Sequence, residues 1–491
     1  MSLMIKSVGN AVQNEQPPKA DLVYLALILF VVAHIGFRAI SRVFGVFAET
    51  LGIKRAPCPQ TIINWVMRLS LIRIHSASDM MGFSQSGIQF SNGSIWIIDT
   101  SIGLGTGKIL AVLALNINHH RLNPGAPCLQ KVRCIAVSVA HSWTGDTIAD
   151  FLLRVMAVMG CPSAYIKDGG CDLRKAHRLV GEQGQESSAI DDISHMVATI
   201  LKHEYQDHPT MAIFLSACGK ASSKFKQTIL ACLAPPKVQT KARFMNVHRL
   251  FTWASRLLKI LTGGRPLIGS TLARLQQSLG QIPECRIFIK RFHDDASALL
   301  MCQKILKTNG LSYETHLQCK PIIETIQSSG VRRDFSDYLH AQLATATTLG
   351  LADVGMPISS DAIESLFGLS KQHGTGEIMD ANRIALRLPA LCGIPTKQEA
   401  QQVIEMTIVE QKKYTNDLSS LTKQRLEMFS GRGSIEKLDH DHTHNHIELI
   451  PESKNQSKHE NIFDISSSCR ERYGPHARHQ EWPQHIAIAA S

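Results

Sequence analysis

No two of the twelve cysteines in this 491-residue chain form a Cys-x-x-Cys pair, which excludes a zinc ribbon and a thioredoxin-type redox motif. Thiols scattered in this way fit a reduced, intracellular protein. A membrane-length apolar run is lacking as well. The one candidate, Leu22 to Phe37, is shorter than the ~20 residues a span needs. It carries His34 and runs straight into Arg38 and Arg42. It has no small-residue cleavage site, so no signal peptide is expected. Nor is there a true phosphate loop. Gly103-Leu-Gly105-Thr-Gly107-Lys108 imitates one, but Ile102 stands where that loop needs glycine and Ile109 where it needs Ser or Thr. The apolar run after Lys108 also reads as a strand, so no helix N-terminus would meet a phosphate.

What is there is a basic excess. Lys and Arg outnumber Asp and Glu by 52 to 41, a net charge of +11. That surplus points to a polyanionic partner, most simply nucleic acid, and is silent about fold. The length leaves room for roughly two to four domains.

Residues 1–20 are polar, with Gln-Pro-Pro-Lys, and read as disordered. Residues 21–71 read as helical. Asp21 is placed to cap the first helix, and a second follows through Ile40, Val43, Phe44 and Phe47. After the basic, proline-broken turn Lys54-Arg55-Ala-Pro-Cys-Pro, a third helix starts at Gln60. Helix, short turn and helix with a basic rim outline a helix-turn-helix-like DNA-binding domain. Its reading helix would offer Gln60, Thr61, Asn64 and Arg68 to a groove, with Arg55 at the rim. A plain three-helix bundle with Ile62 and Trp65 in its core fits the same pattern. Residues 72–93, with Ser, Asp and Gly, read as a linker.

The chain turns on Ser94-Ile-Trp-Ile-Ile-Asp99-Thr100, a short branched and aromatic run that ends on a carboxylate. It predicts a strand, a glycine-rich turn and a second strand over Ile109–Ile117. Arg133–Val139 predicts a third strand and Asp146–Met159 an amphipathic helix. Ser163–Asp168 predicts a fourth strand, again ending on aspartate. A helix over Asp172–Val180, a fifth strand over Ser187–Asp192 and a helix from Ile193 follow. A carboxylate at a strand end is costly to bury unless paired or metal-bound, although a lone Asp there also serves as a turn cap. Asp172 has the position of a helix N-cap.

Three antiparallel strands, a helix, then strands and helices is the order of a ribonuclease-H-like fold. In that order the first and fourth strands lie side by side, bringing Asp99 and Asp168 to one edge. The chain resembles DDE transposases of bacterial insertion sequences, of the kind with a helical insertion before the final glutamate. The resemblance rests on Ile98-Asp99-Thr100, Lys167-Asp168-Gly-Gly, Asp192-Ile-Ser-His195 and Asp361-Ala-Ile-Glu364, and covers roughly residues 38–400. Lys371 stands on the family's Glu-x6-Lys spacing, two helical turns from Glu364. Ser360 and Pro357 stand where some relatives carry arginine and tyrosine.

The resemblance implies an α/β fold: a ribonuclease-H-like mixed sheet interrupted by an all-α insertion, with the helix-turn-helix-like domain in front. The core would take residues 94–209 and 351–430, and the insertion 210–350. The catalytic and metal-holding triad would be Asp99, Asp168 and Glu364, with Asp192, His195 and Lys371 in support. The cofactor would be Mg²⁺, with Mn²⁺ as a substitute, held by carboxylate oxygens. Lys241 and Arg243 in the basic insertion would contact DNA backbone, and Trp253 would either stack on an unpaired base or sit in the core. Asp361 and Glu364 also have capping-box spacing, and Asp191 or Asp192 competes as the third acid. The implied activity is DNA transposition: binding of terminal inverted repeats, then metal-dependent strand cleavage and transfer. The partner is double-stranded DNA, transposon ends and target, met as a homodimer assembled on DNA. No membrane partner is expected, and the location is a bacterial cytoplasm, at the nucleoid. A nuclease that hydrolyses without joining and a catalytically inactive DNA-binding derivative are the alternatives. Residues 431–491 read as a disordered tail whose His440–His446 run is no designed metal site.

Overall fold

Strands that bury both faces read as continuous apolar runs, and the runs after residue 93 form such strands. A computed structural model describes residues 19–77, 93–101, 107–238, 243–261, 266–372, 380–415 and 447–451. The strands are β1 (Ser94–Thr100), β2 (Lys108–Asn116), β3 (Arg133–Ala140), β4 (Ala164–Lys167), β5 (Ser188–Asp191) and β6 (Glu448–Leu449). They make one mixed sheet in the order β5-β4-β1-β2-β3-β6. β1, β2, β3 and β6 pair antiparallel, while β1, β4 and β5 run parallel. Successive β1 residues enter two different cores. Ile95 and Ile97 join one, Trp96 and Ile98 the other. The chain is therefore a mixed α/β protein, mostly helical around a six-stranded sheet.

The Trp96 face is covered by α5 (Gly145–Met159) and α6 (Cys171–Glu182). Thr144 starts α5 with a capping box to Thr147, and Ile148, Phe151, Leu152 and Val155 form its buried stripe. The helix before the sheet's second half thus begins and ends within a residue of its expected bounds.

The opposite face shares a core with the amino-terminal helices α1 (Lys19–Val31), α2 (Phe37–Val46) and α3 (Pro59–His75). These are not a free-standing unit. α3 buries Ile62, Trp65, Val66 and Leu69 and packs against α16 (Lys397–Glu405) and β3. Arg73, 1% exposed, ties the joint by pairing with Glu399. Residues up to Pro451 group as one compact unit. The expected separate domain over 21–71 is in fact one layer of the main body, and the expected linker begins later, since α3 continues through residues 72–75. The remainder of that linker, 78–92, lies outside the described residues, as does the expected disorder of 1–18.

Between β5 and α14 (Asp361–Gln372) the chain is helical, as the basic segments suggested. The longer helices there are α7 (Ile193–Tyr205), α8 (Pro209–Lys226), α9 (Arg243–Ile260), α11 (Arg286–Asn309), α12 (Tyr313–Glu324) and α13 (Ser329–Thr348). Asp295, fully buried in α11, holds them together by accepting from Tyr205 Oη at 2.6 Å and from the Gln327 and Ser328 amides at 2.7 and 3.2 Å.

Among the residues after Gly431, the described stretch departs from expectation. Residues 447–451 lie on the sheet, with β6 paired to Val137 and Ser138. Ile447 and Leu449 are buried, and Glu448 pairs with Arg154 at 2.7 Å. Burial of two branched side chains, together with edge pairing, is what holds this stretch. The histidine run lies outside the described residues.

Candidate active site at the carboxyl ends of β1 and β4

β1 and β4 are neighbours in parallel register, with Ile98 opposite Lys167. The next residue in each case is the expected aspartate, Asp99 still in β1 opposite Ala111 and Asp168 just after β4, so the two lie side by side at the strands' carboxyl ends. There the sheet changes direction, β1 pairing antiparallel with β2 on one side and parallel with β4 on the other. Open α/β sheets bind ligands at such switch points. Asp99 Oδ1 accepts from the Thr100 amide at 2.6 Å, and Asp168 Oδ1 from the Gly170 amide at 2.9 Å.

The expected third acid, Glu364, lies on α14, which packs against β1. Ser360, not Asp361, accepts the first helical amides, since Ile363 and Glu364 N–H both reach its carbonyl at 2.9 and 3.3 Å. Asp361 is the first helical residue, and its carboxylate takes Lys307 Nζ at 2.6 Å. The capping-box reading of Asp361 and Glu364 therefore does not hold. Asp172 is likewise no cap, because Gly170 fills that place in α6. Glu364 is half-exposed, with its Oε1 3.9 Å from His195 Nε2.

The competing acids are engaged elsewhere. Asp191 pairs with buried Lys167 at 2.6 Å. Asp192 is 1% exposed and caps α7 by accepting from the His195 amide at 3.0 Å. Its other oxygen accepts from Ser360 N and Oγ at 2.6 and 3.0 Å. Lys371 lies in the last turn of α14.

The electrostatics mark a crowded anionic corner. Burial pushes the Asp99 carboxyl up to about 7, the charge of Asp168 adds to this, and the Thr100 amide opposes it; Glu364 and Asp192 raise it further. Glu364 is also raised, first by burial, then by Asp192 and Asp361, against His195 and Lys307. A cation would relieve the charge that neighbouring carboxylates place on Asp99 and Glu364. Carboxylate oxygens are hard donors and fit Mg²⁺. Among the described residues, however, no three His, Cys, Asp or Glu side chains are gathered as a metal-ligating group. The two aspartates are turned onto backbone amides instead.

The expected DNA-reading residues are partly spent within the fold. Arg68 Nε donates to Gln411 Oε1 at 2.8 Å and Nη1 to the Val403 carbonyl at 3.3 Å. Asn64 Oδ1 accepts from Gln60 and Gln411, and Thr61 meets Cys58 Sγ at 3.2 Å. Arg55 and Gln60 remain exposed. The physical reason is that α3 is a packed layer, so the Asn64 and Arg68 part of its polar flank faces α16 and α17 (Ile408–Lys413). Lys241 lies outside the described residues, and Arg243 opens α9. Trp253 Nε1 donates to the Leu233 carbonyl at 2.8 Å, and its ring meets the edge of Phe225. It also lines a cavity of about 600 Å³ with His248, Arg249 and Arg256. Ser360 and Lys307 are site neighbours that the sequence reading left without a role. Ser360 immediately precedes the Asp-Ala-Ile-Glu motif, and a serine before a helix is a capping signal.

The family-model scan finds no model that matches the chain, and no curated protein matches it. No described helix is long and apolar enough to cross a membrane.

Proposed function

We propose that the chain is a DNA transposase with a ribonuclease-H-like core, acting by metal-dependent phosphoryl transfer at Asp99, Asp168 and Glu364. The observation that carries this reading is the pair of aspartates on adjacent parallel strand ends, with a glutamate-bearing helix packed beside the first of them. Carboxylates at two neighbouring strand ends, with a third on a helix packed against the first strand, are hard oxygen donors of the kind Mg²⁺ takes. Bound there, Mg²⁺ would supply Lewis-acid stabilisation of a phosphoryl group. Asp99 and Asp168 would hold it from the sheet and Glu364 from α14.

The chain's own groups do the rest. Burial of Asp99 lowers the local dielectric and strengthens each charge interaction at the site. His195 lies 3.9 Å from Glu364 and faces that carboxylate. Lys307 offsets negative charge at the start of α14 through Asp361. The basic excess of +11 favours a DNA backbone and makes binding salt-dependent. Arg55 and Gln60 on the exposed side of the N-terminal layer, with Lys241 and Arg243 in the insertion, are the proposed DNA contacts.

The runner-up is a DNA-binding derivative without catalysis. It draws on the absence, among the described residues, of a gathered three-ligand group. The deciding experiment offers the full chain labelled duplexes from the DNA flanking its gene, with Mg²⁺ or Mn²⁺. Transposition predicts nicks leaving 3′-hydroxyl ends that then join to target DNA. Nicks without joining favour a nuclease, and binding without nicks favours the runner-up.

A further inference from the structure

The insertion leaves the sheet at Asp192 and returns to it at Ser360, and these two residues touch although 168 positions separate them. Asp192 is 1% and Ser360 3% exposed. A carboxylate so buried must have its oxygens satisfied. Asp192 Oδ1 takes the His195 amide, and Oδ2 takes both the amide and the hydroxyl of Ser360. Beside it, the Ile193 amide donates to the Ile358 carbonyl at 3.0 Å. Both helix starts, α7 and α14, are therefore pinned to one carboxylate.

We propose that Asp192 is a positioning residue whose grip on Ser360 sets the start of α14 and with it the place of Glu364. The inference rests on the assignment of Glu364 to the active site. The Glu364 amide bonds to the Ser360 carbonyl at 3.3 Å, so the two are about one helical turn apart and move as one rigid piece. Lys307 of α11, paired with Asp361, braces the same turn from the insertion side. Neither Asp192 nor Lys307 touches a reacting group in this account. They act through the backbone of α14.

Asp192→Asn is the sharp variant. An amide keeps the volume but replaces one acceptor oxygen with a donor, which must then face either the Ser360 or the His195 N–H. Ser360→Ala removes only the hydroxyl bond, and Ser360→Thr keeps it. Hydrogen exchange on the full chain reads the clasp directly. Asp192→Asn should speed exchange across residues 358–372 on the order of tenfold or more, with β1 and β4 unchanged. Ser360→Ala should do so less, and Ser360→Thr should restore wild-type protection. On DNA, Asp192→Asn should lower kcat on the order of 100-fold with KM for DNA unchanged, as misplacement of a catalytic group by about 1 Å does. Mn²⁺ affinity, followed by electron paramagnetic resonance, should fall in Asp192→Asn and less in Ser360→Ala.

Unchanged exchange over 358–372 in Asp192→Asn overturns the clasp, and faster exchange with unaltered kcat, in a protein whose Glu364→Gln variant is inactive, overturns its positioning role. Where Asp192→Asn does not fold, Ser360→Ala against Ser360→Thr decides by the same exchange readout. If Glu364→Gln keeps full Mn²⁺ affinity and activity while exchange behaves as expected, the clasp stands and the assignment of Glu364 is what fails.

Discussion

Replacing Glu399 with alanine should break the joint between α3 and α16. Arg73 Nε and Nη2 donate to Glu399 at 2.7 and 3.1 Å, and Nη1 donates to the Ala390, Cys392 and Gly393 carbonyls. Glu399 also caps its own helix, accepting from the Thr396 amide at 2.8 Å. Glu399→Ala leaves the guanidinium buried without its counter-ion, which typically costs about 3–5 kcal/mol. An unfolding entropy of about 2.1 cal/mol/K per residue, over 491 residues, gives about 1 kcal/mol/K, so the melting temperature should fall by about 3–5 °C. The pH dependence has a defined sign. Burial alone raises the Glu399 carboxyl, but Arg73, the Thr396 amide and Arg133 outweigh it and hold the group below its ordinary 4.5. The unfolded chain therefore takes up the proton first as pH falls. The stabilisation is whole above about pH 4.5 and is lost as pH drops through the folded value. Calorimetry across pH on wild type and Glu399→Gln checks this: the gap between their melting temperatures should narrow in acid. A Glu399→Ala chain within about 0.5 kcal/mol of wild type would refute the reasoning, since so small a change marks an unremarkable surface site.

Arg68→Ala should lower stability by about 1–3 kcal/mol through the lost bonds to Gln411 and Val403, with little change in DNA affinity; weaker binding at unchanged stability would return Arg68 to a groove-reading role. Gly355 has φ of +109°, and an added Cβ would meet the Asn309 carbonyl, so Gly355→Ala should cost about 1–3 kcal/mol in urea unfolding. Leu449→Ala should destabilise by about 2–5 kcal/mol because the side chain is 1% exposed. Glu448→Ala should cost only about 0–1 kcal/mol, because its partner Arg154 is exposed; the reverse order would show that charge rather than apolar burial holds β6.

The first five strands and the helix after β3 were legible because both sheet faces are buried. β1 begins and ends where the Ser94–Thr100 run does, and α5 starts within a residue of Asp146. That β1 and β4 lie side by side followed from the ribonuclease-H-like strand order; that they pair parallel is seen in the structure. The N-terminal helices left two readings open because a helix–turn–helix pattern is the same whether its polar flank meets DNA or another helix; Ile62 and Trp65 are buried, as the bundle reading expects. Gln411, 343 positions from Arg68, is invisible to local pattern. The caps were displaced for a similar reason. Asp361 has cap spacing, yet Lys307 claims its carboxylate and Asp192 holds Ser360 in the cap position. The Ile447–Leu449 stretch was hidden inside a polar, biased tail because two residues of pairing leave no period to read.

The central claim is that Asp99, Asp168 and Glu364 act as one metal-holding set, and three isosteric amides test it most directly. Wild type and the Asp99→Asn, Asp168→Asn and Glu364→Gln variants are compared on the same flanking-DNA duplex, in Mg²⁺ and in Mn²⁺, with DNA affinity measured alongside. The account predicts that each amide alone abolishes nicking and strand transfer while DNA binding survives. An active Glu364→Gln, beside an inactive Asp191→Asn or Asp192→Asn, would contradict it and move the third ligand to the end of β5.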